Sequence, residues 1–221
     1  MSVWSTNYLG NSNLGLYARA SDRIALIPFG AHPKFLEGAK ALEVPLLPAS
    51  IDRCPYLGLY TALNSTGLIL PPFVDEKEMV QFKKAGLNTL VVHHSHFCAI
   101  GNNVACNDKA AIVNPDMPAE LVRRIADTLG VEAYAMAVGP NKTVGMAVVP
   151  TNKGWVAYNR ISEEESAKLS ALFGSPGINS TVNNGTVMVG LGVVANSRGA
   201  LVGMASSGFE IGRIQQGLDL I

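Results

Sequence analysis

Apolar runs of strand length recur along the whole chain, separated by short clusters of Asn, Ser, Thr and Gly. Met146-Ala147-Val148-Val149 precedes one such cluster and Trp155-Val156-Ala157 follows it. β-Branched and aromatic residues on either side of an Asn/Gly cluster predict a strand, a tight turn and a second strand. After each predicted hairpin the apolar spacing changes to that of a helix, over 34–42, 76–85, 118–129, 163–173 and 209–218. Asp75, Asp116, Ser162 and Ser207 stand where N-caps are needed, since a short side-chain oxygen there accepts from the unpaired N–H groups of the first turn. Glu165, three residues after Ser162, completes a capping box, and Gly86, Gly130 and Gly174 supply helix stops. A further β-forming segment leads into the next hairpin at 44–51, 89–92, 131–137 and 178–182, with 3–8 as its counterpart at the start.

The succession returns at a nearly fixed interval. Gly15, Gly58, Gly101, Gly145 and Gly190 are 43, 43, 44 and 45 residues apart. Six residues after each stands a turn former: Ser21, Asn64, Asn107, Thr151 or Asn196. Nine residues after each comes Ile24, Gly67, Ala110, Gly154 or Gly199, mostly small. The chain therefore reads as one α/β domain of five repeated units, approximately 1–43, 44–87, 88–130, 131–177 and 178–221, each with three short strands and one helix. Such a unit cannot bury its sheet alone and must pack on its neighbours. An open array needs polar caps at its ends. Here the first unit looks like the others and only Asp219-Leu220-Ile221 follow the last helix. The expectation is a closed five-fold pseudo-symmetric α/β propeller with its helices outside.

Composition narrows the functional classes. The 221 residues carry a formal net charge of zero and only 15% charged side chains, against about 25% in an average soluble domain. That argues against coating nucleic acid by charge alone, while leaving room for a local basic patch. Three cysteines, Cys54, Cys98 and Cys106, cannot pair off into a disulfide framework and read as small core residues. The first residues show neither a basic nor an apolar leader region, and 187–195 is too short and glycine-rich to span a bilayer. A cytoplasmic, monomeric protein with no membrane partner is expected. The four Asn-x-Ser/Thr triplets beginning at Asn64, Asn141, Asn179 and Asn184 then read as turn chemistry rather than glycosylation sites.

Asn107-Asp108-Lys109, Thr151-Asn152-Lys153-Gly154 and Ala195-Asn196-Ser197-Arg198-Gly199-Ala200 resemble the repeat turns of the translation initiation factor 6 family. Gly67-Leu68-Ile69-Leu70-Pro71 and Ala99-Ile100-Gly101-Asn102 do so too. Gly208-Phe209-Glu210-Ile211 and Gly217-Leu218-Asp219-Leu220-Ile221 resemble its archaeal form, which lacks the long eukaryotic tail. The resemblance covers nearly the whole chain and is weakest before about residue 42. It implies the pentein fold and binding to the large (50S) ribosomal subunit on the face that meets the small (30S) one. It implies that the two are held apart by steric exclusion, with a role in large-subunit maturation. The partner it implies is the ribosomal protein uL14, close to the sarcin–ricin loop of the ribosomal RNA.

Other penteins are enzymes acting on guanidino groups, with a nucleophilic Cys near the C-terminus, a His and paired carboxylates. This chain has no cysteine after Cys106 and no histidine after His96, so no catalytic residue is assigned and no cofactor is expected. A guanidino-group hydrolase or transferase, and a scaffold acting outside translation, are the alternatives. His94, His96 and Cys98 would share one face of an extended strand and are zinc-ligand types. Their spacing fits no established zinc motif and no fourth ligand is evident, so no metal is assigned. The candidate ribosome-binding residues are those following the repeat glycines: Leu16, Leu59, Asn102, Met146 and Leu191, an apolar ring with one amide. Eight residues after the glycines stand Arg23, Thr66, Lys109, Lys153 and Arg198. The four cations among them would form a basic ring facing RNA phosphate at the other end.

Overall fold

The computed structural model describes residues 2–94 and 96–221. The chain opens with strand β1 (Val3–Thr6) and then repeats one path: a short helical turn containing a repeat glycine, a hairpin, a longer helix and a returning strand. The hairpin and returning strands are β2 (Arg19–Ala20), β3 (Ala25–Pro28) and β4 (Leu46–Ala49), then β5 (Ala62–Leu63), β6 (Gly67–Leu70) and β7 (Asn88–Val91). They continue with β8 (Val104–Cys106), β9 (Ala110–Val113) and β10 (Glu132–Ala135), then β11 (Val148–Pro150), β12 (Trp155–Tyr158) and β13 (Gly177–Ser180). The last hairpin is β14 (Val193–Ala195) with β15 (Ala200–Gly203).

Among the described residues these strands form five three-stranded mixed sheets. In each, the hairpin is antiparallel and the third strand is parallel to its middle strand. The pairing cuts across the units drawn from the sequence. β4, placed at the start of 44–87, pairs with β3 of the first hairpin. The hydrogen-bonded unit therefore runs from a repeat glycine to the strand before the next one, because a parallel strand needs the helix as its crossover. The fifth sheet takes its third strand from the other end of the chain: β1 pairs with β15, from Val3 opposite Ala200 to Thr6 opposite Gly203.

The longer helices are Pro33–Ala39, Glu76–Lys84, Ala119–Leu129, Glu163–Phe173 and Gly208–Gly217. Ala119–Leu129 buries Leu121, Ile125 and Leu129, one stripe at four-residue spacing. Those side chains pack with Ile69 and Leu90 of the second sheet and Ala111 and Val113 of the third. The other cores repeat this bridging of neighbouring sheets. One of them joins Val194 and Leu201 of the last sheet to Ala25 and Ile27 of the first under Phe35 and Leu42. The succession of cores thus comes back to its starting unit. Capping boxes start three helices, at Asp75/Glu78, Ser162/Glu165 and Ser207/Glu210. Asp116 does not cap its helix: Pro118 occupies the N-cap and the Asp116 carboxylate pairs with Lys142 at 2.8 Å.

Candidate interaction faces

The repeat glycines meet at one end of the molecule. A Cβ on Gly58 would overlap the carbonyl oxygen of Gly15, one on Gly101 that of Gly58, and one on Gly145 that of Gly101. The same relation links Gly190 to Gly145 and Gly15 to Gly190, so the contacts pass through all five and return to the first. No residue with a side chain can stand there, because backbone meets backbone. Of the residues that follow, Leu16, Leu59, Asn102 and Leu191 are half-buried on this face, whereas Met146 is buried at 5% exposure and belongs to the interior. The Asn102 side-chain carbonyl is shielded and meets no donor among the described residues.

Around this centre the loops that leave the sheets carry exposed apolar side chains, whereas Trp4, Val80, Tyr134 and Ile221 are exposed on strands, a helix and the last residue. Leu9, Phe29 and Phe209 are 77–78% exposed, and Met204, Phe73 and Tyr56 are also open to solvent. They come from the first, second and fifth units, which adjoin one another. Tyr56 stacks on Tyr17, and Tyr17 lies against Tyr8, which meets buried Phe35 edge-on. Tyr56 is thus joined through ring contacts to the core, while Phe73 meets Tyr60 edge-on. The corresponding loops of the third and fourth units hold Asn114, Asp116, Asn159 and Arg160. Tip turns also lie on this face, and carboxylates from the capping boxes pin three of them. Glu78 accepts from the backbone N–H of Asp52 and Arg53, Glu165 from that of Gly139, and Glu210 from those of Asn184 and Gly185. Asp52, Arg53, Asn183 and Asn184 have positive φ, so the pinning holds turns that would otherwise relax.

The opposite end is built from the hairpin turns and is closed on itself. Asn64 caps its own turn through Oδ1 and donates to the carbonyls of Asn107 and Leu129 in the next unit. Asn107 does the same to Thr151 and Phe173, and Asn196 to Ser21 and Leu42. One residue further on, Asp22, Ser65, Asp108, Asn152 and Ser197 bond to one another. Asn152 Nδ2 bridges Asp22 at 2.8 Å and Asp108 at 2.6 Å, and the N–H groups of Ser65 and Ser197 donate to the same two carboxylates.

The expected basic ring sits at this end with its donors turned inward. Arg23 donates to the carbonyls of Ser65, Ala85 and Gly86, Lys109 to those of Asn152 and Gly174, and Arg198 to that of Glu43. Each caps the C-terminal end of a neighbouring helix, where carbonyls lack partners and the helix dipole attracts a cation. All four remain exposed, and Lys153 alone of them has no hydrogen-bond partner for its ammonium among the described residues. With Asp22 and Asp108 inside the ring, this end is mixed in charge rather than uniformly basic.

The model of the eIF-6 family matches residues 3–217. The chain belongs to the eIF-6 family. It is 34% identical to "Translation initiation factor 6" of Pyrococcus abyssi over the full length of both chains. It is 33% identical to that of Methanospirillum hungatei over 93% of each and 34% identical to that of Methanosarcina mazei over 95% of each. Against this eIF-6 framework the cysteines and histidines are local features. All three cysteines are half-buried, and Cys106 packs against the core under the third sheet. Cys106 faces the molecular axis, and burial pushes its thiol up to about 12 although the Arg19 charge pulls the other way. Such a thiol is a poor nucleophile at neutral pH. β7 ends at Val91, so His94, His96 and Cys98 do not share a strand face; His94 Nδ1 instead accepts from the His96 N–H and Cys98 Sγ donates to the His94 carbonyl. Ser95 lies outside the described residues, and among those described no three His, Cys, Asp or Glu side chains cluster as metal ligands.

Three features of this eIF-6 family member escaped the sequence reading: the pinning role of Glu78 and Glu210, the polar ring one residue past the turn formers, and Arg19. A comparison of each unit position by position would have found Arg19, since it stands where the other units have Ala62, Ala105, Val149 and Val194.

Proposed function

We propose that this protein is a translation initiation factor that binds the large ribosomal subunit through its glycine end and thereby prevents joining to the small subunit. Relatives that carry the name Translation initiation factor 6 along their full length support the translational role. The difference between the two ends carries the choice of face. The turn end spends its polar groups on itself, while the glycine end presents Leu9, Phe29, Phe73, Met204 and Phe209 in one sector with half-buried Leu16, Leu59, Asn102 and Leu191 beside them. Aromatic and Met side chains are the ones enriched in the cores of protein–protein interfaces. The partner for this sector is a large-subunit protein, uL14 in this reading, near the sarcin–ricin loop, with a monomeric cytoplasmic factor acting by steric exclusion and in late subunit maturation. Of the four cations expected to ring the turn end, Lys153 is the one left free to meet RNA. The high position of the Cys106 thiol favours this binding role over a guanidino-group enzyme.

Co-sedimentation with purified large and small subunits tests the proposal. The wild-type chain should pellet with large subunits and lower the yield of joined ribosomes. The double variant Phe29→Asp, Met204→Asp should weaken large-subunit binding by about tenfold or more, as loss of two apolar anchors would. Lys153→Glu should change it by less than about threefold at moderate salt, as expected for one phosphate contact. Wild-type protein that fails to pellet with large subunits would defeat the function. Loss of binding in Lys153→Glu with none in the double variant would defeat the choice of face.

A further inference from the structure

The axis holds a cavity that docking at either end leaves unused. It measures about 40 Å³ and is lined by all five inner strands, with Arg19 and Cys106 as its ionisable residues. Each inner strand, β2, β5, β8, β11 and β14, is an edge strand of its sheet. Its second edge therefore faces the axis with N–H and C=O groups outside the ladder, of which the Leu63 carbonyl accepts from Cys106 Sγ. Arg19 breaks the repeat here, standing where the other units place Ala or Val. Its Nε donates to the Gly58 carbonyl at 3.1 Å and its Nη2 to the Gly101 carbonyl at 2.7 Å. These acceptors are neutral and engage two of its five N–H groups. Burial brings the guanidinium down to about 10, opposed by neighbouring Cys106, which leaves it charged at neutral pH.

No protein anion answers this charge among the described residues. The ion pairs there join Lys40 to Glu37, Arg123 to Glu120 and Lys142 to Asp116. Cys106 is a neutral thiol. Asp22 and Asp108 lie toward the turn end, around a second cavity of about 20 Å³, and both oxygens of each already accept from Ser65, Asn152 or Ser197. Arg19 is part-buried; a cation drawn partly out of water without a counter-charge is costly, and a small anion beside it removes much of that cost. We infer that the axial cavity is a binding site for a small monovalent inorganic anion of the chloride class, held against Arg19 and the free strand edges. Its volume admits such an ion with one or two waters, since a single water-sized probe needs about 15 Å³. A nucleotide or a drug-sized ligand occupies about 300 Å³ or more and is excluded.

The test uses the full chain prepared in sodium gluconate and probed with chloride and bromide. Crystals transferred to sodium bromide should show an anomalous peak on the axis beside the Arg19 guanidinium. At constant ionic strength, replacing gluconate by chloride should raise the thermal midpoint with a saturating dependence, as for a ligand that binds the folded state alone. In Arg19→Met that dependence should be flat. The crystal measurement needs no variant, so a misfolded Arg19→Met leaves the test intact. Axial density without bromide signal, together with identical midpoints in chloride and gluconate, would overturn the inference.

Discussion

The Glu210 carboxylate, only 4% exposed, accepts from the N–H groups of Asn184, Gly185 and Ser207 and from the hydroxyls of Thr181 and Ser207. Burial alone would raise its pKa. The bonds from Ser207, Thr181, Gly185 and Asn184 outweigh it and hold the group at about 2, below its ordinary 4.5. A depressed carboxylate pKa stabilises the fold at pH values above the unfolded value, and that contribution is lost as pH falls through the folded one. The difference corresponds to roughly 3 kcal/mol. Glu210→Gln should therefore lower the urea midpoint at pH 7, with a gap to wild type that narrows below pH 4.5 and is nearly gone at pH 2. A gap that stays constant from pH 7 to pH 2 would mean that the ionised form contributes nothing special. The sequence showed Glu210 in a family-like motif but not this role, because its partners lie 25–29 residues upstream in a tip turn of the preceding sheet.

At the scale of elements, what could be read from the chain was local and what was missed was not. The helix Glu163–Phe173 was legible to the residue because Ser162, Glu165 and Gly174 signal its ends within the helix itself. The cations of Arg23, Lys109 and Arg198 looked like a display for RNA because turns are normally solvated. Their acceptors are carbonyls 42–155 residues away, which no local pattern reveals. The turn formers follow the same logic. Asn64, Asn107 and Asn196 have an amide to donate across to the next unit, whereas the Ser21 and Thr151 hydroxyls only cap their own turns. Two of the five junctions therefore lack the clamp. Thr151→Asn should supply it at the fourth, bonding the Asn196 carbonyl and the end of the helix Gly208–Gly217, and should raise stability by about 1 kcal/mol. Asn107→Ala, which leaves buried carbonyls and N–H groups unmet, should lower it by roughly 2–3 kcal/mol. Chemical denaturation of both variants checks the pair, and a destabilised Thr151→Asn would show that the fourth junction has no room for the clamp.

For the whole molecule, the five-fold repeat was legible because close approach of backbones demands glycine at the same position every time. Which strand joins which sheet was not, because sequence order says nothing about a partner at the far end of the chain. The pairing of β1 with β15, and the bond from Ser2 Oγ to the Leu220 carbonyl at 2.7 Å, bring the two ends of the chain together. If that junction is equivalent to the other four, the position of the chain break should matter little while the presence of β1 should matter greatly. A permuted chain joined between residues 221 and 1 by a short glycine linker, and opened in the loop 174–176, keeps every sheet and every core. It should unfold cooperatively, with a stability within about 2 kcal/mol of the parent, the modest difference expected from exchanging one loop closure for another. Deleting residues 1–6 instead strips β15 of its parallel partner and removes buried Val3 from the core around Val202 and Ile214. That deletion should cost more than about 3 kcal/mol and leave an exposed strand edge prone to self-association. Urea unfolding followed by far-ultraviolet circular dichroism, with sedimentation velocity for association, separates the two. An unfolded permutant beside a stable deletion would show that the order of the units along the chain, rather than their mutual packing, holds the molecule together.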